Sequence, residues 1–73
     1  MSPKLPHLKP REVVRLLKVY GFEKDHQTGS HAVFVDANER KVTVPIHHGK
    51  TIGIGLLRRI LEEAGIDPDD VRR

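Results

Sequence analysis

The size of this chain most constrains its fold, because 73 residues without a cysteine must fold around one thin hydrophobic core. A domain of this length buries only about 60% of the surface that its unfolded chain exposes. We therefore expect a single domain over residues 1–73, with a shallow surface site rather than a deep pocket. The absence of cysteine also excludes a disulfide scaffold, a thiolate zinc site and a cysteine nucleophile.

Two segments show the apolar spacing of three and four residues that is typical of amphipathic helices. The first runs from Pro10 to Tyr20 and the second from about Gly53 to Ala64. Each is followed by a glycine, the residue that most often ends a helix. The flanking residues 1–9 and 67–73 carry no such pattern, so we predict a flexible arm and a tail there.

Three segments between the helices have the composition of strands: Phe22–His26, His31–Asp36 and Lys41–Ile46. Pro45 cannot donate a hydrogen bond to a neighbouring strand, so the third strand lies at a sheet edge or stops there. The resulting order, α-β-β-β-α, predicts an α+β fold in which a three-stranded antiparallel sheet carries two helices on one face.

The second face of the predicted sheet is left to solvent or to a partner. Either His31, Val33 and Val35 or the alternate pair Ala32 and Phe34 lie on it, and both sets are apolar enough to be buried. If the valines are exposed, they suit a protein partner or a second copy of the chain.

The charge of the chain favours a polyanionic partner. There are 13 Lys and Arg against 10 Asp and Glu, and Asp67, Asp69 and Asp70 all lie in the predicted tail. The folded body is therefore more basic than the formal charge of +3 suggests, which favours nucleic acid. Aromatic residues are few, and Tyr20 and Phe22 are expected in the core, which argues against a stacking platform for single strands.

Several classes of protein are excluded by the motifs that the sequence lacks. It has no nucleophile elbow, no P-loop and no glycine-rich dinucleotide turn. No apolar run approaches the roughly 20 residues that cross a bilayer, and no signal-peptide pattern opens the chain. We expect a full-length cytoplasmic protein without a bound cofactor.

Five histidines are many for so short a chain, and His31 is the strongest candidate for chemistry. It directly follows Gly29 and Ser30, where the glycine lets the backbone approach a ligand and the serine adds a hydroxyl group. A neutral imidazole can take a proton from a hydroxyl group near pH 7. The same pattern also fits a histidine that only caps a turn.

A second candidate is the segment from His47 to Lys50, which leads into the second helix. His47, His48 and Lys50 beside a helix N-terminus would make a phosphate-contact loop, although the histidine pair could simply cap the strand or bind metal adventitiously. Adjacent strand residues point to opposite faces, so the pair cannot easily share an ion and we expect no metal site. We interpret His26 as a solvated side chain that could contact phosphate.

The order of these features resembles one protein family. An amphipathic helix is followed by Gly21-Phe22, by Gly29-Ser30-His31, and by the strand Val42–Pro45 with His47 two residues later. A helix then opens with Gly55 and Leu57 and ends at Ala64-Gly65-Ile66. Over residues 9 to 66 the chain is similar to the HicA toxins of bacterial and archaeal toxin–antitoxin pairs.

That resemblance implies a fold similar to double-stranded RNA-binding domains, and an mRNA interferase that cleaves RNA and blocks translation. It also implies a HicB-type antitoxin that covers the active site, and its catalytic histidine falls on His31. The chain departs from the family pattern at Lys9-Pro10, where Ser-Gly is common, at Ala32, where a second histidine is common, and at Leu56, where a threonine is common. The departure at Ala32 leaves more of the burden on His31 and His47.

We hypothesise metal-independent cleavage in which His31 is the general base on a ribose 2′-OH and His47 is the general acid. Gly29, Ser30, His48 and Lys50 would bind the RNA. One alternative is a non-catalytic module that binds double-stranded RNA, although the basic run before the second helix is thin. The other is a protein-interaction domain whose open sheet face takes an antitoxin or forms a homodimer.

Overall fold

A computed structural model describes residues 5–47 and 49–71. It consists of helix α1 (Pro10–Val19), strands β1 (Glu23–Thr28), β2 (His31–Val35) and β3 (Lys41–Pro45), helix α2 (Ile54–Ala64) and a short 3₁₀ helix (Pro68–Asp70). The predicted order α-β-β-β-α and the α+β class are confirmed. Neither α-helix in the described part of the chain is long and apolar enough to cross a membrane.

The three strands form one antiparallel sheet in the order β1-β2-β3. β3 is an edge strand and ends at Pro45, as the missing proline N–H requires. β1 runs two residues further than predicted, to Thr28, because the turn that follows needs only two residues.

Both helices pack on the same face of the sheet. The side chains that β2 and β3 present to that face are buried: Ala32 and Phe34 of β2, and Val42 and Val44 of β3. His31, Val33 and Val35 therefore lie on the opposite face, which we call the open face. This arrangement resolves the ambiguity that the sequence leaves in β2.

Residues at both ends of the described chain contribute to the core. Leu5 and Leu8, within the segment predicted as a flexible arm, are buried, and the N–H of Ile52 donates to the Leu8 carbonyl at 2.7 Å. Val71, within the predicted tail, is buried as well. These contacts depend on tertiary packing, which leaves no periodic pattern in segments so short.

The prediction that Tyr20 belongs to the core is wrong, whereas Phe22 is buried as predicted. Tyr20 is 39% exposed, and its hydroxyl donates to Asp70 Oδ2 at 3.0 Å. Since Tyr20 follows the last residue of α1, its ring leaves the helix's buried side. Its hydroxyl finds a charged partner near the chain's C-terminal end instead.

Candidate active site and basic groove

A two-residue turn places His31 at the start of β2. Thr28 and His31 pair across the sheet and leave only Gly29 and Ser30 between them. Gly29 has φ 58°, and two-residue hairpin turns of the II′ type favour glycine at this first position. The Gln27 amide donates to the Gly29 carbonyl at 3.0 Å, which braces the turn. His31 is thus held at a defined position on the open face with its side chain exposed.

The loop after β3 is attached to the same turn. The N–H of Ile46 donates to the Ser30 carbonyl at 2.5 Å, and the N–H of Lys50 donates to the His47 carbonyl at 3.2 Å. The predicted phosphate-contact loop therefore adjoins Gly29 and Ser30, while His48 lies outside the described residues. Within residues 5–47 and 49–71, no group of three His, Asp or Glu side chains is suited to hold a metal ion.

A groove of about 550 Å³ opens on the helix-covered face between α1 and β1. It exists because both helices make more contacts with β3 than with either of the other strands, which leaves the β1 side uncovered. The apolar side chains of Ala32 and Phe34 form part of its lining. Its other lining residues include six basic or imidazole side chains: Lys9, Arg11, Lys18, Lys24, His47 and Lys50. None of the described residues that line the groove is acidic, so it is suited to an anionic ligand.

The structure gathers some of the predicted site residues and separates others. Gly29, Ser30 and His31 form one turn, and His47 and Lys50 line the groove beside it. His31 is not among the groove residues, because it points to the open face. His31, the predicted base, therefore lies on the open face, whereas His47, the predicted acid, lines the groove on the helix-covered face. Both residues lie near the same end of the sheet.

A β-bulge in β1 creates a feature that the sequence interpretation missed. Lys24 pairs with Phe34 and His26 pairs with Val33, so Asp25 is the extra, unpaired residue. His26 Nδ1 lies 2.7 Å from Asp25 Oδ2, and both side chains are about half exposed. A bulge depends on how two strands pair, and no local pattern announces it.

Four groove cations were also missed: Lys9, Arg11, Lys18 and Lys24. A usable signal existed for part of this set, because Arg11, Val14 and Lys18 are separated by three and four residues and so share one side of α1. Nothing in the sequence indicates that this side of α1 borders a groove, since that depends on where the helix lies across the sheet.

Comparison with protein families gives a match that covers most of the chain. A family model described as the HicA toxin of bacterial toxin–antitoxin pairs matches residues 10–66 of the 73-residue chain. The matched segment extends from the start of α1 to just beyond α2 and includes the Gly29–His31 turn and the β3–α2 loop. A comparison with curated proteins finds no match.

Proposed function

Because the chain belongs to the HicA toxin family, we propose that it is a cytoplasmic endoribonuclease that cleaves mRNA and thereby inhibits translation. The family is one of toxins that are generally ribonucleases, and it implies an antitoxin partner. The observation that carries the proposal is His31, an exposed imidazole fixed by a tight turn beside a basic groove.

In the proposed reaction His31 is the general base. It takes the proton of a ribose 2′-OH and the 2′ oxygen attacks the adjacent phosphorus. The bond from phosphorus to the 5′ oxygen breaks as that oxygen gains a proton from a general acid. The products are a 2′,3′-cyclic phosphate and a 5′-OH, and no metal ion takes part. A positioned base supplies a rate gain of about 10²–10⁴-fold, so donors that stabilise the charged phosphate must supply much of the rest.

We assign the phosphate contacts to the end of the sheet and the groove. The Ser30 hydroxyl, the backbone at Gly29, and the side chains of His48 and Lys50 are the proposed RNA contacts. His47 lines the groove whereas His31 does not, which favours a phosphate contact for His47 over the proton donor's role predicted from sequence. An RNA strand whose reacting phosphate lies at His31 would continue round the turn into the groove.

Growth after induced expression in a bacterial host tests this proposal. We expect the wild type to arrest growth and His31→Ala to lose the arrest. His7→Ala is the matched control, because His7 is exposed and lies before the segment that matches the family. Equal toxicity of the wild type and His31→Ala, at equal protein levels, would contradict the assignment of His31.

The antitoxin is proposed to bind the open face. Val33 and Val35 are only half-buried there, next to the exposed His31, and an apolar surface of this kind is suited to a protein partner. A HicB-type antitoxin seated on these valines would cover the proposed base.

A further inference from the structure

A second imidazole lies on the open face, one strand away from His31. His26 pairs with Val33, and Thr28, two residues further along β1, pairs with His31. Paired residues in an antiparallel sheet share a face, so His26, Val33 and His31 all lie on the open face. The sequence gives no reason to connect His26 with His31, which are five positions apart and belong to different strands.

The bulge at Asp25 places two consecutive residues of β1, Asp25 and His26, away from the groove. Lys24 and Gln27 both line the groove, and the Lys24 ammonium donates to the Gln27 side-chain carbonyl at 2.9 Å. The two residues between them, Asp25 and His26, are consecutive and yet both lie away from the groove. An ideal strand would have sent one of them to each face, and the extra residue of the bulge prevents this.

The hydrogen bond between Asp25 and His26 fixes the imidazole. An ionised carboxylate only accepts hydrogen bonds, so the Nδ1 of His26 donates its proton to Asp25 Oδ2 over 2.7 Å. Nε2 is then the nitrogen that can give up or take a proton. The His26 side chain is 54% exposed, so a ligand on the open face can reach it.

The separation between the two histidines suits a single phosphodiester. Diagonal neighbours on adjacent strands have Cβ atoms about 7–8 Å apart, within reach of each other's longer side chains. His26 and His31 stand in that diagonal relation. A phosphate between them can have its attacking oxygen on one imidazole and its leaving oxygen on the other.

We propose that His26 is the general acid of RNA cleavage and that Asp25 is its positioning residue, an inference that rests on the ribonuclease function proposed above. His31 removes the 2′-OH proton as the 2′ oxygen bonds to phosphorus. His26 Nε2 donates its proton to the 5′ oxygen as the bond from phosphorus to that oxygen breaks. The enzyme ends with a protonated His31 and a neutral His26, and exchange with water restores both.

The test compares two substrates that differ in their need for an acid. One is an RNA oligonucleotide, whose 5′ alkoxide leaves only when protonated, and the other is uridine 3′-(4-nitrophenyl phosphate), whose nitrophenolate leaves without a proton. We expect His26→Gln to lower kcat on RNA by about 100-fold or more with little change in KM, and to retain near-wild-type kcat on the nitrophenyl ester. His31→Ala should lose activity on both substrates.

Two further variants separate chemistry from structure. Asp25→Asn keeps the size of the side chain but weakens its hydrogen bond to the His26 imidazole. It should therefore lower kcat on RNA less than His26→Gln does, and kcat on the nitrophenyl ester should again stay near the wild-type value. Glu23→Gln, the same type of change elsewhere on β1, should match the wild type on both substrates. His47→Gln should raise KM on RNA. If His47→Gln also lowers kcat on RNA, kcat on the nitrophenyl ester should be lowered as well.

The proposal is overturned if His26→Gln cleaves RNA at the wild-type rate, or loses both substrates equally while its thermal unfolding is unchanged. Rescue of His47→Gln by the nitrophenyl ester would also overturn it, because the acid would then be His47. If the proposed ribonuclease function is itself wrong, the wild type will cleave neither substrate. That result is distinct from those above, and it would also overturn the assignment of His26.

Discussion

At the residue scale, each histidine of the proposed site is positioned by a short backbone feature. A two-residue turn holds His31, a bulge turns His26 towards the open face, and a hydrogen bond from Ile46 to Ser30 attaches the loop that carries His47. Because turns, bulges and backbone hydrogen bonds need few side chains, a small hydrophobic core is enough to position the proposed catalytic residues. The site is therefore expected to depend on backbone geometry more than on burial.

A separate residue-level contact ties the end of α1 to the C-terminal segment. The hydrogen bond from the Tyr20 hydroxyl to Asp70 raises the pKa of Tyr20, and the charges of Asp70 and Asp67 add to the effect. The chain contains a single tyrosine and no tryptophan, so its ultraviolet titration reports on this contact alone.

We expect Asp70→Asn to lower the pKa of Tyr20 towards the ordinary value of about 10, whereas Asp69→Asn should change it much less. Because folding raises this pKa, the stabilisation from the contact is fully present below the ordinary pKa. It is lost as the pH rises through the raised value in the folded state. Identical tyrosinate titration curves for the wild type and Asp70→Asn would contradict the contact.

Sequence reasoning at this scale predicted the turn before His31, because glycine and serine before a strand are typical of a turn; the catalytic role of His31 stays a prediction. It missed Asp25 and His26 because a bulge is fixed by the register between strands. It misplaced Tyr20 because helical spacing continues past the point where α1 ends at Val19.

At the element scale, the end of α2 and the β2–β3 turn stabilise each other. Gly65 caps α2 with φ 70°, and Arg40 Nη1 donates to the Ala64 carbonyl at 2.8 Å. Arg40 Nε also lies 3.5 Å from Asp36 Oδ2. The other carboxylate oxygen of Asp36 accepts hydrogen bonds from the backbone N–H groups of Asn38 and Arg40 in the turn. A Cβ added at Gly65 would collide with the Arg40 guanidinium.

We therefore expect Gly65→Ala to reduce the free energy of unfolding by about 1–2 kcal/mol, the usual penalty for a left-handed non-glycine residue, with more from the displaced Arg40. Gly55→Ala, in the same helix, has nothing within 4 Å of the added Cβ and should be neutral or stabilising by up to about 1 kcal/mol. Chemical denaturation measures both. Equal effects of the two substitutions would rule out this view of the cap.

Element order and type follow from the sequence because apolar periodicity is strong in α1, α2, β2 and β3. β1 is different, since all six of its residues are exposed, and its extent depends on pairing with β2. Leu5 and Leu8 join the core for a similar reason: they pack against a distant part of the chain, and two residues cannot form a periodic pattern.

At the scale of the whole molecule, the two faces of the sheet have different roles in the proposed function. The helix-covered face provides the basic groove, and the open face provides His31 with the Asp25–His26 pair. Both reach the end of the sheet where the β1–β2 turn lies. The net charge of +3 indicates a basic body, but only the position of the helices over β3 shows where the cations gather.

The proposed cleavage by His31 is tested most directly by end-group analysis of RNA incubated with the purified protein in EDTA. Two oligonucleotides of the same sequence are compared, one all-ribose and one with a single 2′-deoxy sugar at the cleaved position. We expect the wild type to cleave only the all-ribose strand, leaving a 2′,3′-cyclic phosphate and a 5′-OH, and His31→Ala to cleave neither. Cleavage at the 2′-deoxy position, or full activity of His31→Ala, would contradict it, and salt-dependent duplex binding without cleavage would identify a non-catalytic RNA-binding module instead.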